Sequence, residues 1–197
     1  MTALTKPEAP NYLTDIADVA ERIGKASRIM VIGCSGGGKS TLSQYLAARF
    51  GLTYVSIDRD ILWLPGWAQR DRQEQRRLMA EKAQEERWVF DGTGPSTFDI
   101  RLPRTDLVIW VRMPRLLCIW GVTQRWLRWI GRTRPEMAPG CPEKIDWEFL
   151  RYVWTFDDRF APQVVASLVK NGPDVPVFQL NSRRQMRRLL DLLGPPA

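Results

Sequence analysis

Apolar runs alternate with charged, amphipathic segments along most of the chain. Five of the runs are short and rich in β-branched or aromatic residues, which is typical of buried strands. They lie at residues 28–32 (RIMVI), 53–57 (TYVSI), 87–90 (RWVF), 106–111 (DLVIWV) and 176–180 (PVFQL). Because the strands of a parallel sheet are buried on both faces, continuous apolar runs of this kind predict a parallel sheet.

The segments between these runs show the 3.6-residue period of helices. Helices are predicted at 14–27, 39–50, about 70–86, 114 to near 131, 146–170 with a kink near Pro162, and 182–193. The alternation of strands and helices predicts a three-layer α/β fold, with a five-stranded parallel sheet and helices on both of its faces. In such folds the ligand lies at the carboxyl ends of the strands.

The length of 197 residues predicts a single main domain. Residues 1–27 are interpreted as an N-terminal tail followed by a short helix, and residues 28–197 as the main domain. A Gly- and Pro-rich segment at 131–143, GRTRPEMAPGCPE, predicts an exposed loop.

Composition excludes several classes of chemistry. The chain has no histidine, which rules out Ser-His-Asp and Cys-His catalysis and most transition-metal sites. Its three cysteines are scattered, which favours a reducing compartment over a disulfide framework.

The N-terminus lacks the pattern of a signal peptide, and no apolar run approaches the ~20 residues of a membrane span. We therefore expect a cytoplasmic protein that is not embedded in a membrane.

The net charge of +7 arises mainly from arginine, which accounts for 23 of the 29 basic residues. The planar guanidinium binds phosphate or carboxylate at two points. The excess fits either phosphorylated small molecules in a cleft or a nucleic-acid backbone on a surface, and composition does not choose between them.

Residues 33–40, GCSGGGKS, match the phosphate-binding loop G-x-x-x-x-G-K-[ST] between a strand and a helix. Backbone N–H groups in such a loop point at phosphate oxygens, and the helix N-terminus adds its positive dipole end. We expect Lys39 to reach the β- and γ-phosphates of ATP and the Ser40 hydroxyl to bind Mg²⁺. The complete predicted nucleotide site is Gly33, Ser35, Gly36, Gly37, Gly38, Lys39, Ser40 and Thr41.

Two carboxylates follow predicted strands and are expected near the γ-phosphate. Asp91 follows WVF and is placed like the acid that holds Mg²⁺ or its waters in P-loop enzymes. Asp58 follows TYVSI and can orient an acceptor hydroxyl or take its proton. Either residue can instead cap the segment that follows it.

Several motifs, in order from residue 28 to 193, resemble the proteins called DNA topology modulation proteins, which are small P-loop proteins similar to adenylate kinase. They are SIDRDILWLPGW, WVFDGTG, DIRLPRTDLVIWV, PRLLCIWGV and, most specifically, GRTRPEMAPGCPEKIDWEFLRYVW. The resemblance implies a nucleoside-monophosphate-kinase-like fold with an ATP site and a mobile lid at about 121–147. Gly121 stands where similar proteins are expected to carry a basic residue.

Four arginines of the predicted lid segment are candidate catalytic groups. Arg125, Arg128 and Arg132 recur at helical spacing and share one face, and Arg134 follows in the loop. The resemblance implies that such arginines close over the transferring phosphate and neutralise its charge. The alternatives are a solvated basic face and a nucleic-acid surface, where arginine and tryptophan combine backbone contact with base stacking.

On the acceptor side, the resemblance places Arg101 as a clamp on an anionic acceptor and Trp63 and Trp67 as an apolar wall. The leading hypothesis is transfer of the γ-phosphoryl group of Mg-ATP to a small molecule, with a nucleotide among the candidate acceptors. The alternative is a nucleic-acid-associated ATPase or topology modulator, with weak nucleic-acid binding. The expected oligomeric state is a monomer or a homodimer.

Overall fold

A computed structural model describes residues 9–195 of the chain. Eight strands are present in this range: β1 (Asn11–Leu13), β2 (Arg28–Gly33), β3 (Thr53–Ser56), β4 (Trp63–Leu64), β5 (Ala68–Gln69), β6 (Trp88–Asp91), β7 (Leu107–Val111) and β8 (Pro176–Leu180). Six of them form one parallel sheet in the order β1-β8-β7-β2-β6-β3, and β4 and β5 form a small antiparallel hairpin. The predicted α/β parallel sheet is confirmed.

The sheet has six strands where the sequence pattern predicts five. The additional strand is β1, which pairs with β8 in parallel through residues 11–13. Its three residues are mostly exposed, so they show no apolar run. The strand is held by pairing with its neighbour, and a pattern of buried positions therefore could not reveal it.

The helices cover both faces of the sheet. They are α1 (Ile16–Lys25), α2 (Lys39–Phe50), α3 (Arg72–Ala83), α4 (Phe98–Arg101), α5 (Arg115–Trp129), α6 (Trp147–Arg159), α7 (Ala161–Asn171) and α8 (Arg183–Leu193). The segment predicted as one kinked helix at 146–170 is two helices, since α6 ends at Arg159 and α7 begins with Pro162 in its first turn. Proline lacks the N–H that a continuous helix needs there. None of the helices in residues 9–195 has the length and apolar character of a membrane span.

Strand β2 divides the interior into two apolar cores. Ile29 and Val31 face a core shared with α1, α2 and α8, whereas Met30 and Ile32 face a core shared with α3 and α7. Neighbouring side chains of a strand point to opposite faces, so one six-residue strand supports both layers. This arrangement is the three-layer architecture expected from the sequence.

The strand register brings the predicted functional segments to one edge of the sheet. Asp91, at the end of β6, lies beside Val31 in β2 and Ser56 in β3. The glycine-rich loop follows β2, and Asp58 lies in the first turn of a π-helical segment (Ile57–Leu62) after β3. The phosphate loop and both candidate carboxylates therefore meet at the carboxyl ends of adjacent strands.

Candidate active site

The glycine-rich loop has the strand–loop–helix geometry that its motif predicts. Gly36 and Gly38 have φ values of 78° and 99°, and Gly38 directly precedes α2. These left-handed conformations favour glycine because they penalise a Cβ atom. Lys39 Nζ donates to the carbonyl oxygen of Cys34 at 2.8 Å, so the lysine lies folded along the loop. Thr93 Oγ1 accepts a 2.9 Å hydrogen bond from the Gly33 N–H and ties the loop to the end of β6.

Helix α5 packs directly on this loop. A Cβ atom on Gly121 would overlap the carbonyl oxygen of Gly36, and a Cβ atom on Gly36 would overlap the carbonyl oxygen of Cys118. The loop and the helix therefore approach backbone to backbone. This contact explains why position 121, where a basic residue was expected, holds glycine: a side chain does not fit against Gly36.

A cavity of about 640 Å³ opens in front of the loop. Most of the site residues predicted from the sequence line this cavity: Ser35, Gly36, Gly38, Lys39, Ser40, Thr41, Asp58, Asp91, Arg125, Arg128 and Arg134. Gly33 and Gly37 are not part of its wall. The cavity has the volume of a small-molecule pocket, for which ~300–1,000 Å³ is typical. We call it the donor cavity.

Asp91 lies at the floor of the donor cavity and is almost completely buried. The Tyr54 hydroxyl donates to Asp91 Oδ2 at 2.9 Å, whereas Oδ1 has no hydrogen-bond partner among the described residues. A buried carboxylate oxygen without a partner is costly unless something else binds it. Together with the hydroxyl of Ser40, which lines the same cavity, Asp91 offers hard oxygen ligands that suit Mg²⁺.

Asp58 lies where two cavities meet. Its carboxylate is 3.9 Å from the guanidinium of Arg134, and about half of its side chain is exposed to the cleft. Desolvation by the neighbouring protein raises the pKa of the Asp58 carboxyl, although the charges of Arg134 and Lys39 oppose the effect. A carboxylate with a raised pKa is a stronger base than an ordinary aspartate.

Arg125 and Arg134 share one buried counterion. Arg125 Nε donates to Glu143 Oε1 at 2.7 Å, and Arg134 Nε lies 2.9 Å from Glu143 Oε2. Only 3% of the Glu143 side chain is exposed. Burial and the neighbouring charge of Arg134 lower the pKa of the Arg125 guanidinium. Both arginines are thus held in fixed positions between the two cavities.

The other two candidate arginines lie outside this cluster. Arg128 is exposed on α5 but lines the donor cavity. Arg132 is exposed and lines neither of the two cavities. It follows the end of α5, where the helical periodicity that grouped it with Arg125 no longer holds.

The second cavity, of about 470 Å³, is lined by four aromatic side chains together with charged ones; we call it the acceptor cavity. Trp63, Trp67, Phe149 and Tyr152 line it, as does Met137. The Trp67 backbone N–H donates to Cys141 Sγ at 3.3 Å, and its indole N–H donates to the Pro142 carbonyl at 3.2 Å. Trp67 thus lines this cavity and is fixed by these two bonds to the loop that contains Cys141 and Pro142.

Arg101 was expected to clamp an acceptor, but the structure places it beneath the loop that follows β6. Its side chain is completely buried, and its guanidinium donates to the carbonyl oxygens of Gly92, Thr93 and Gly94. Burial lowers its pKa to about 9, which still leaves it protonated at neutral pH. The guanidinium is committed to backbone carbonyls, so it holds the loop and contacts neither cavity.

Sequence reasoning missed two residues of the site, Glu143 and Tyr54. Glu143 belongs to the GCPEK portion of the quoted motif, yet an isolated glutamate in a loop gives no sign of pairing with two arginines. Tyr54 lies in β3, four residues before Asp58. Arg183 follows β8, and its Nη2 lies 3.5 Å from the Gly36 carbonyl oxygen at the donor cavity. From the sequence, this arginine was expected to follow the last strand, where similar kinases bind the adenine, or to form a basic outer face together with Arg184, Arg187 and Arg188.

Comparison with solved structures shows that two shikimate kinases share the fold of this chain. A shikimate kinase from Acinetobacter baumannii, in complex with shikimate, superposes with a TM-score of 0.52 at 15% identity over 88% of this chain and 94% of its own. A shikimate kinase from Bacteroides thetaiotaomicron gives a TM-score of 0.50 at 16% identity over 85% of this chain and 96% of its own. A deoxyadenosine kinase from M. mycoides, with bound dCTP, gives 0.44 at 15% identity over 84% of this chain and 98% of its own.

No protein-family model and no curated protein matches the chain. The resemblance to the DNA topology modulation proteins therefore rests on the sequence motifs alone. The structural likeness, at identities of 15–16%, defines the fold class and leaves the substrates to be argued from the site.

Proposed function

We propose that the protein is an ATP-dependent phosphotransferase that moves the γ-phosphoryl group of Mg-ATP to a hydroxyl group of a small molecule. The observation that carries this proposal is that the two cavities meet at one cluster: Ser35, Asp58, Arg125 and Arg134 line both of them. Transfer between two bound molecules requires such a junction, whereas hydrolysis of ATP alone requires only the donor cavity and a water molecule.

On the donor side, backbone N–H groups of the loop and the Lys39 ammonium would bind the phosphates. Ser40 and Asp91 would hold Mg²⁺ or its waters, and the unpartnered Oδ1 of Asp91 supports this assignment. The ion would supply positive charge next to the phosphate oxygens. Lys39 would leave the Cys34 carbonyl oxygen to reach the phosphates.

At the junction, Asp58 would orient the acceptor hydroxyl and take its proton, for which its raised pKa is suited. Arg125 and Arg134 would stabilise the negative charge on the transferring group, because both residues line the two cavities where these meet. Arg128 and Arg183 extend the positive wall of the donor cavity.

The proposal is tested by measuring ADP formation with ATP and Mg²⁺ alone, with each member of a panel of hydroxylated metabolites, nucleosides and nucleotides, and with duplex or single-stranded DNA. We expect slow turnover alone and a strong acceleration by one acceptor, with the phosphorylated product detected by mass spectrometry. Stimulation by DNA, weakening steeply with salt, would favour the alternative ATPase function and contradict transfer.

Lys39→Ala checks that the measured turnover belongs to this site. We expect a loss of at least about 100-fold in kcat, because the variant lacks the charge that contacts the phosphates. Lys170→Ala, an exposed lysine in α7, is the matched control and is expected to retain full activity.

A further inference from the structure

The two cavities carry opposite charge. The donor cavity has five basic side chains (Lys39, Arg125, Arg128, Arg134, Arg183) and three acidic ones (Asp58, Asp91, Glu136), which gives a net +2. The acceptor cavity has three basic side chains (Arg125, Arg134, Lys144) and four acidic ones (Asp58, Glu143, Asp146, Glu148), which gives a net −1. In a protein of net charge +7, the acceptor cavity is locally acidic.

Its two arginines offer little charge to an anionic acceptor. Arg125 and Arg134 are both paired with Glu143, and Arg134 also faces Asp58 at 3.9 Å. Two positive charges are thus matched by two negative ones. Both arginines also line the donor cavity, so any remaining attraction is directed at the transferring phosphoryl group.

The remaining charges lie at the end of the acceptor cavity formed by the lid loop and the start of α6. Lys144 places its Nζ 5.0 Å from the centroid of the Trp67 ring, which is the geometry of a cation–π contact. Asp146 accepts the Phe149 N–H at 2.8 Å as the N-cap of α6, and Glu148 is exposed in the first turn. Within residues 9–195, neither of these carboxylates pairs with a basic side chain.

The walls favour a planar, ring-bearing molecule. Trp63 and Trp67 meet edge to face with centroids 5.3 Å apart, and Phe149 and Tyr152 stack at 6.2 Å. Such surfaces bind rings through apolar contact and stacking. The volume of about 470 Å³ lies within the usual range of small-molecule pockets, ~300–1,000 Å³.

We infer that the acceptor is an uncharged, ring-bearing alcohol of nucleoside size, and that its anionic counterparts, such as nucleoside monophosphates, are disfavoured. The inference rests on the proposed function. In the transfer, the acceptor hydroxyl oxygen forms a bond to the γ-phosphorus, the bond from that phosphorus to the β,γ-bridging oxygen breaks, ADP leaves, and the hydroxyl proton passes to Asp58.

Matched pairs of nucleosides and their 5′-monophosphates test the inference, because the two members of a pair differ in the phosphate group. Adenosine with AMP, thymidine with TMP, and cytidine with CMP are titrated by calorimetry into the Lys39→Ala protein saturated with ADP and Mg²⁺, so that the donor cavity is filled and no transfer can occur. We expect a nucleoside to bind at least about tenfold more tightly than its monophosphate, since like charges oppose the latter. Equal or tighter binding of the monophosphates, or no binding of any nucleoside, would overturn the inference.

Charge removal in the acceptor cavity provides the second test. In the Lys39→Ala background, Asp146→Asn combined with Glu148→Gln is expected to reduce the preference for the nucleoside several-fold, and asparagine retains the N-cap of α6. Asp158→Asn, an exposed carboxylate in the same helix outside both cavities, is expected to leave the preference unchanged. An unchanged preference in the double variant would contradict the inference.

Transfer is measured separately with the wild-type chain. Nucleoside binding without any transfer would contradict the proposed function, but it would support the inferred preference of the acceptor cavity for an uncharged, ring-bearing molecule. Transfer to a monophosphate in preference to its nucleoside would support the proposed function and overturn the inference.

Discussion

Arg134 and Glu143 form a buried ion pair in the segment between α5 and α6, with the guanidinium Nε 2.9 Å from the carboxylate Oε2. The second carboxylate oxygen is taken by Arg125 at 2.7 Å. One carboxylate on the lid loop therefore positions an arginine of α5 and an arginine of the loop itself. The geometry of the junction between the cavities depends on this shared counterion.

Replacement of Glu143 by glutamine tests that dependence. We expect Glu143→Gln to lower the free energy of unfolding by about 1–3 kcal/mol, because two partly buried guanidinium groups lose their charged partner. Urea denaturation measures the loss. Glu148→Gln removes an exposed glutamate nearby and is expected to stay within about 0.5 kcal/mol of the wild type. Equal effects of the two substitutions would show that the buried pair has no special role.

Arg134 and Arg132 form a matched pair of lid arginines, since Arg134 lines both cavities and Arg132 lines neither. We expect Arg134→Lys to reduce the transfer rate by about 10²–10³-fold, because lysine cannot reproduce the planar donor set at the transferring group. Arg132→Ala is expected to change it less than about twofold. Single-turnover measurements with bound ATP separate this effect from substrate binding. A loss of comparable size in both variants would contradict the assignment.

The raised pKa of Asp58 predicts how stability depends on pH. A pKa raised in the folded state means that the proton is bound more tightly there, so this contribution to stability is fully present below the ordinary value of 3.8 and is lost as the pH rises through the raised value. Asp58→Asn removes the titration. We therefore expect the variant to gain stability relative to the wild type as the pH is raised from about 3 to about 7.

Asp99→Asn provides a control of opposite sign. Arg76 lowers the pKa of the Asp99 carboxyl, so this residue contributes stability above its ordinary pKa and loses it as the pH falls through the lowered value. The variant should lose stability relative to the wild type as the pH rises. Urea denaturation at several pH values measures both differences, and parallel slopes in the two variants would exclude a specific effect at Asp58.

The contact between Gly121 and the phosphate loop predicts a large effect from one methyl group. We expect Gly121→Ala to weaken ATP binding by at least about tenfold, because the new Cβ would displace the backbone of Gly36. Gly24→Ala is the matched control: it lies in α1 with no atom within 4 Å of the added methyl group, and should stabilise the protein by about 0.4–1 kcal/mol. Unimpaired ATP binding by Gly121→Ala would show that the loop can move away freely.

The sequence was sufficient to predict those parts of the molecule whose structure is determined by residues close together in the chain. The segment from β2 through α2 is one example, because the glycines, the lysine and the apolar strand all act within one short stretch. Asp58 and Asp91 were predicted to lie together for the same reason, since Asp91 ends β6, Asp58 lies two residues beyond β3, and these strands end at the same edge of the sheet.

Features that depend on contacts between distant segments were not predictable in this way. Arg101 has the charge of a clamp, but its packing under residues 92–94 gives it a structural role. The role of Glu143 became apparent only from the structure, in which the loop that carries it places its carboxylate against Arg125. The division between α6 and α7, by contrast, was predicted in part, because Pro162 indicated a kink where the structure has a break between two helices.

The strand β1 gives the first residues of the described chain a protective role. It covers the outer edge of β8, while Ile16, Val19 and Ile23 of α1 are buried in one of the two cores. A protein shortened to begin at Arg28 would expose an unpaired strand edge next to a bared apolar surface, the combination through which chains associate during folding. The N-terminal segment thus covers a strand edge and an apolar surface that would otherwise be open to contact with other chains.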